Sequence, residues 1–179
     1  TPRIQTLQAV VNQDWLSPPV MMLNSYDILK ISFDEMSHNY HRMIYRIEHC
    51  EADWEVSTDI FETDFLEGFN NIPIEEYQNS INTNFEYTHY GFEIPNDRCR
   101  LKMSGNYKLT IIDEDNDNEE VAQVRFKVTE QTMALSISAT TNTDIDINDR
   151  HQQLNLSLNY GQLKVIDPST EIYTLVTQN

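Results

Sequence analysis

The segment SHNYHRMIYRIEHCEADW, residues 37–54, concentrates side chains that could do chemistry. It contains His38, His41, His49 and Cys50, residue types that bind metal ions or form nucleophilic Cys/His pairs. A zinc site needs three or four converging ligands, and the sequence has neither C-x-x-C nor H-E-x-x-H. In an extended strand His49 and Cys50 point to opposite faces and cannot share one ion. We therefore interpret the segment as a loop and a strand whose histidines are satisfied by hydrogen bonds.

Two acidic turns raise the question of calcium binding. The turn DEDNDNEE at 113–120 alternates carboxylates as an EF-hand loop does. An EF-hand also requires Gly at its sixth position and Glu at its twelfth, whereas Asn118 and Val124 stand there. A second acidic stretch, 144–149, lies between two predicted strands. We interpret both as solvated turns, and weak calcium binding at extracellular concentrations stays open.

The two cysteines, Cys50 and Cys99, allow either a disulfide or two separate thiols. A bridge would close a loop of about 50 residues and stabilise the fold by roughly 4 kcal/mol. Two separate buried thiols are the simpler interpretation. The sequence contains no G-x-S-x-G motif and no phosphate-binding glycine loop. It therefore predicts no catalytic residue, no metal ligand and no cofactor.

The composition excludes several classes of protein. The chain has 179 residues and a net charge of −17, from 29 acidic and 12 basic residues. Nucleic acids and anionic membranes are bound through clustered Lys and Arg, so we exclude nucleic acid as a partner. No apolar run reaches the length of about 18 residues that a membrane-spanning helix needs. The N-terminal TPRIQTLQAVV lacks the pattern of a signal peptide, as expected of a processed chain that begins at Thr1.

Apolar residues recur at every second position along most of the chain, which predicts β-strands. The expected strands are 4–11, 28–33, 42–50, 87–94, a hairpin on either side of the 113–120 turn, 135–139, 154–160 and 172–176. The segment IPIEEYQNSIN, which begins at Ile72, predicts a short helical turn because Pro73 suits a first helical position.

These elements predict an all-β protein with two parts. We expect an immunoglobulin-like antiparallel β-sandwich over residues 1–130, followed by the first strands of a second β domain over 131–179. An immunoglobulin-like sandwich needs about 100 residues and seven strands, more than the tail contains. Because an incomplete sheet leaves unpaired edges, we also expect self-association through the tail strands.

Long stretches of the sequence resemble the plug protein family of the Bacteroidetes type IX secretion system, formerly a domain of unknown function. The resemblance is carried by DWLSPPV at 14–20, ISFDEMSHNYHRMIYRIEHCEADW at 31–54, LEGFNNIPIEEYQNSINTNFEYTHY at 66–90, LKMSGNYKLTIIDED at 101–115 and TNTDIDINDRHQQLNLSLNY at 141–160. It implies a non-enzymatic periplasmic protein, associated with the outer membrane, of which this chain is the N-terminal region. The implied partner is the outer-membrane translocon barrel, whose periplasmic mouth the plug closes. No catalytic residue is implied.

A carbohydrate- or adhesin-type extracytoplasmic binding module is the alternative function. It requires an exposed aromatic platform around Trp15 or Trp54, whereas core packing is our prediction for both. An enzyme would instead require histidines and carboxylates that converge in a pocket with a perturbed pKa.

Overall fold

A computed structural model describes residues 3–37, 39–141, 143, 151–161 and 163–176. The chain divides into two compact units, Thr1–Glu130 and Gln131–Asn179. In the described ranges, neither helix has the length and apolar character needed to cross a membrane.

The first unit is built around two sheets. The four-stranded sheet contains, in spatial order, β1 (Ile4–Val11), β3 (Leu29–Glu35), β8 (Thr88–Ile94) and β7 (Glu76–Asn79). The five-stranded sheet contains β2 (Val20–Met22), β11 (Glu119–Thr129), β10 (Gly105–Asp113), β4 (Met43–Cys50) and β6 (Ile72–Pro73). All neighbours are antiparallel except β2 and β11, which are parallel. The predicted all-β antiparallel sandwich is confirmed, with this one parallel pair as an addition.

A smaller antiparallel pair completes this unit. The short helix α1 (Glu62–Phe65) leads directly into β5 (Leu66–Gly68), which pairs with β9 (Cys99–Leu101). Phe65 and Leu66 are both buried in the main hydrophobic core. The pair therefore extends the same core rather than forming a separate one.

The period of two in the sequence corresponds to the buried and exposed faces of the strands. In β11, Val124, Phe126 and Val128 are buried, while Arg125 and Lys127 are exposed. The inward side chains of both sheets join one hydrophobic cluster. Such burial stabilises by roughly 25 cal/mol per Å² of apolar surface removed from water.

Stacked aromatic rings join strands inside the core. Tyr45 of β4 stacks on Phe92 of β8, with ring centroids 4.4 Å apart, and so links the two sheets. Tyr107 stacks on Phe126 at 5.4 Å within the five-stranded sheet. Offset stacked pairs add about 0.5–1.5 kcal/mol each beyond the burial of their area.

The helical turn predicted from Ile72 is wrong. Ile72 and Pro73 form β6, which pairs with β4, and Glu76–Asn79 forms β7 at the edge of the other sheet. Ile72 and Ile74 are both buried, and this spacing of two fits a strand rather than a helix. Packing against the sandwich therefore outweighs the local preference of proline for a helix start.

The second unit is a hairpin followed by a short helix. Strand β12 (Ala134–Thr140) pairs with β13 (Gln153–Asn159), and α2 (Pro168–Glu171) follows. The strand predicted at 172–176 is wrong, since these residues have no regular secondary structure. Asp167 caps α2 by accepting a hydrogen bond from the backbone N–H of Ser169 at 3.0 Å, so the chain turns there instead of extending.

Candidate interaction surfaces

The side chains of the opening segment lie on different faces of β4. His49 points into the core, where its ring meets Tyr107 edge-on at 5.2 Å and its Nδ1 lies 2.8 Å from the Ser57 hydroxyl. Cys50, the next residue, is also buried, and its backbone forms an antiparallel bridge with Val56 of the returning chain. His49 and Cys50 are consecutive residues of β4, so their side chains point to opposite faces of the sheet, as the strand pattern predicted. His38 lies outside the described residues.

Both cysteines are free and buried, in agreement with the interpretation as separate thiols. Burial raises the pKa of the Cys50 thiol and of the Cys99 thiol. Burial likewise raises the pKa of Tyr90 to about 12 and that of Tyr45 still further. These groups stay protonated at neutral pH, a state that suits packing and hydrogen bonding rather than nucleophilic attack.

The structure brings His41 together with the first acidic turn. Ligand atoms of His41, Asp113 and Asp115 all lie within 4.8 Å of one another, a set that could hold a metal ion. The guanidinium of Arg3 already occupies this place: it donates to Asp113, and its Nη2 is 3.3 Å from His41 Nδ1. Arg3 also donates to Glu35 at 3.0 Å. The cluster is therefore an ion-paired clamp in which arginine supplies the positive charge.

Sequence reasoning missed Arg3 because its partners are distant in the chain. The residue stands among the first residues, and its carboxylate partners lie 32, 110 and 116 positions later. No local motif marks such a contact. The second acidic stretch, 144–149, lies outside the described residues.

An apolar groove of about 490 Å³ opens beside β2 and was also missed from the sequence. Its walls include Met21, Tyr26, Ile28, Pro95 and Arg100. The apolar run Val20-Met21-Met22 after two prolines was the available signal. We call this feature the β2 groove.

Asp27 orders the loop at the mouth of the β2 groove. Its carboxylate accepts hydrogen bonds from the Met22 backbone N–H and from the Asn12 side chain, both at 2.7 Å. These bonds hold the pKa of Asp27 below its usual value, and the bond from Met22 has the largest effect. The side chain of Tyr26, next in the loop, is fully exposed. The groove thus has a fixed rim that carries a free aromatic ring.

Neither tryptophan is a core residue, so the prediction of core packing is wrong for both. The side chain of Trp15 is 63% exposed. Trp54 is half-buried and lies against the outer face of the five-stranded sheet, where Arg125 Cζ is 5.1 Å and Lys127 Nζ is 6.0 Å from its ring. Both residues sit in loops that follow a strand end, outside the two layers of inward side chains.

Both a protein family and a solved structure are similar to this chain. Residues 4–130 match the family model described as type 9 secretion system plug protein, first domain. A crystal structure of a hypothetical protein from Parabacteroides merdae is 33% identical, with a TM-score of 0.83 over 95% of this chain. The chain spans 43% of the length of that protein.

Other comparisons add no functional information. An alkylpurine DNA glycosylase from Pseudomonas fluorescens shares 11% identity over 71% of this chain and 30% of its own, with a TM-score of 0.35, too low to carry an argument. No curated protein matches this sequence.

Proposed function

The chain belongs to the type IX secretion system plug family, and we propose that it is a non-enzymatic periplasmic component that closes the periplasmic side of the outer-membrane translocon. The match of residues 4–130 to the family's first domain carries this proposal. The crystal structure from Parabacteroides merdae supports the same fold over nearly the whole chain. The family is a secretion-system family and not an enzyme family, which supports a role in protein contacts.

The sandwich has properties that a removable plug needs. Its two sheets share one core and present broad, fixed outer surfaces. A plug must also leave the translocon again, and charge complementarity gives a reversible contact that salt weakens. The net charge of −17 makes acidic surfaces the natural contact with a basic partner.

We place this contact at the exposed acidic residues of the 113–120 turn, which connects β10 to β11. Asp115 and Asp117 are available at its tip, since both are exposed and neither forms an ion pair among the described residues. Glu114 and Glu120 are excluded because each already pairs with an arginine at 2.7 Å. Asp113 is excluded because it is fully buried in the Arg3 clamp. Glu119 is excluded because it also pairs with Arg3, at 3.0 Å.

Affinity purification of the full-length protein from its native outer membrane tests the proposal. The double variant Asp115→Asn, Asp117→Asn should recover several-fold less translocon than the wild type. A matched control, Glu67→Gln, Glu93→Gln, removes two exposed carboxylates elsewhere and should recover as much as the wild type. Equal recovery by both variants and the wild type would exclude the acidic turn, and absence of the translocon from every preparation would exclude the plug role.

The exposed side chain of Trp15 favours one alternative, a carbohydrate- or adhesin-type binding module. Aromatic rings on a surface stack against sugars or partner side chains. Binding to periplasmic or surface glycans that is lost in Trp15→Ala, with the translocon contact unchanged, would support that alternative.

We further propose a domain boundary near residue 130, with 131–179 as the opening part of a second β domain. The family match and the first compact unit both end at residue 130. The hairpin that follows has one apolar face, formed by the opposed pairs Leu135–Leu158, Ile137–Leu156 and Ala139–Leu154. A two-stranded hairpin with such a face requires a further layer for stability.

A further inference from the structure

Cationic side chains are gathered on the outer face of the five-stranded sheet. Lys108 of β10 lies directly opposite Arg125 of β11, and Lys127 lies two residues further along β11 on the same face. These are three of only 12 basic residues in a chain with 29 acidic ones. The three cations and Trp54 together are called the Trp54 surface.

The cations of the Trp54 surface lack carboxylate partners. Among the described residues, no carboxylate oxygen lies within 4.0 Å of the charged nitrogens of Lys108, Arg125 or Lys127. Glu48 is opposite Lys108 in the sheet, but its carboxylate is directed to Arg46 at 3.9 Å. In so acidic a chain, three adjacent cations without ion pairs leave positive charge available to a partner.

Trp54 is held in place by the loop that carries it. Its backbone N–H donates to the Glu51 carbonyl at 3.0 Å, and the Glu51 N–H donates to the Glu55 carbonyl at 2.8 Å. Asn106 of β10 donates to the same Glu51 carbonyl at 2.9 Å. The backbone that carries the indole is therefore ordered, and the ring already lies near Arg125 and Lys127, which lowers the entropy lost on binding.

The spacing of the cations follows the strand. Arg125 and Lys127 are two residues apart on β11, so their attachment points are separated by about 7 Å. Alternate side chains of any extended polypeptide have this same spacing. An extended segment with an acidic residue at every second position would therefore place successive carboxylates on Arg125 and Lys127.

Apolar side chains border the surface at the sheet edge. Val20 of β2 lies opposite Lys127, and Met22 lies opposite Thr129. Both side chains are partly exposed. They offer an apolar contact beside the cations. A polypeptide partner has both apolar and charged groups and can use such a contact, whereas a simple anion cannot.

We propose that the Trp54 surface binds an acidic polypeptide segment in an extended conformation. Arg125 and Lys127 pair with its alternate carboxylates, Lys108 contributes a third positive charge, and the indole of Trp54 packs against its backbone. This contact is separate from the plug role and uses a different surface from the 113–120 turn.

Fluorescence anisotropy with a labelled peptide of alternating Glu and Thr tests this. The full chain should bind the peptide, more weakly as salt rises, and should not bind an alternating Lys and Thr peptide. The double variant Arg125→Gln, Lys127→Gln should weaken binding by about tenfold, since two exposed charge pairs together are worth roughly one decade of affinity. Trp54→Leu should weaken it several-fold.

A matched control removes two exposed cations elsewhere. Lys30→Gln, Arg100→Gln changes the net charge equally and should bind the peptide as the wild type does. If peptide binding weakened equally in this control, the change in net charge alone would explain the effect, and the proposal would be overturned. Tighter binding to a sulfated oligosaccharide, to vesicles containing anionic lipid or to a second copy of this chain would also overturn it, as would no binding to the acidic peptide at low salt.

Discussion

The guanidinium of Arg3 donates to the buried carboxylate of Asp113, 110 residues later in the chain. Arg3 immediately precedes the first strand of the four-stranded sheet, and Asp113 ends a strand of the five-stranded sheet. The same guanidinium also donates to Glu35, another buried carboxylate. One side chain thus ties the two layers of the sandwich and supplies positive charge to two carboxylates that are buried from water.

Removing Arg3 should destabilise the fold. Arg3→Ala leaves Asp113 and Glu35 buried without a counter-charge, which costs about 2–3 kcal/mol after allowance for the partial exposure of Arg3. Urea denaturation measures the free energy of unfolding. Arg42→Ala is the control, because Arg42 pairs with Glu114 at a more exposed position, and it should lose less than about 1 kcal/mol. Equal losses would show that the clamp has no special weight.

Gly68 should not tolerate a side chain. Its φ is +105°, and a Cβ would collide with the backbone carbonyl of Arg98, the residue just before the paired strand β9. Gly68→Ala should therefore destabilise by about 3 kcal/mol, from strain and displaced backbone together. Gly91→Ala is the matched substitution within β8, where the nearest atom to a new Cβ is 3.9 Å away. A thermal melt should show a large decrease in Tm for Gly68→Ala and a small change for Gly91→Ala; the reverse order would contradict this account.

The fold should lose stability in alkali through its buried tyrosines. Burial raises the pKa of Tyr90 to about 12 and raises those of Tyr45 and Tyr107 as well, whereas an unfolded tyrosine ionises near pH 10. Between these values the unfolded chain binds fewer protons than the folded one. The stabilisation is therefore complete below pH 10 and is lost as the pH rises from about 10 to 12.

The dependence on pH of the unfolding free energy isolates this effect. The unfolding free energy of Tyr90→Phe should decrease less steeply between pH 10 and 11 than that of the wild type. The difference in slope should correspond to up to about one bound proton. Tyr26→Phe, at a fully exposed ring, should leave the slope unchanged. Parallel slopes for wild type and Tyr90→Phe would contradict the role of Tyr90.

The tail hairpin should cause self-association. Leu135 and Ile137 of its apolar face are 59% and 61% exposed, and an uncovered apolar sheet face recruits a neighbour. The double variant Ile137→Asn, Leu156→Asn should shift the chain towards monomer in sedimentation velocity. Ser136→Asn, Ser157→Asn, an opposed pair on the other face, should leave association unchanged. A wild type that stays monomeric at high concentration would contradict the prediction.

Strands could be predicted wherever apolar and polar residues alternate along a short segment. The interaction surfaces could not be predicted in this way. The hairpin around the 113–120 turn was expected from residues such as Tyr107 and Phe126, which the structure pairs directly. The helical turn predicted at Ile72 was wrong because it rested on the local preference of Pro73. The burial of Ile72 depends on neighbouring strands that are distant in the sequence. The prediction of core packing for Trp54 was wrong because its neighbours, Arg125 and Lys127, are also distant in the sequence.

The sequence by itself determined the strand content, the acidic surface and the family of this protein. Each of these depends on residue order, charge or motif, which can be counted without coordinates. Tertiary structure alone decided that Arg3 closes the clamp on Asp113 and that Trp54 lies on a cationic sheet face. These contacts join residues far apart in the chain, and their partners are set by strand pairing and register rather than by any local pattern.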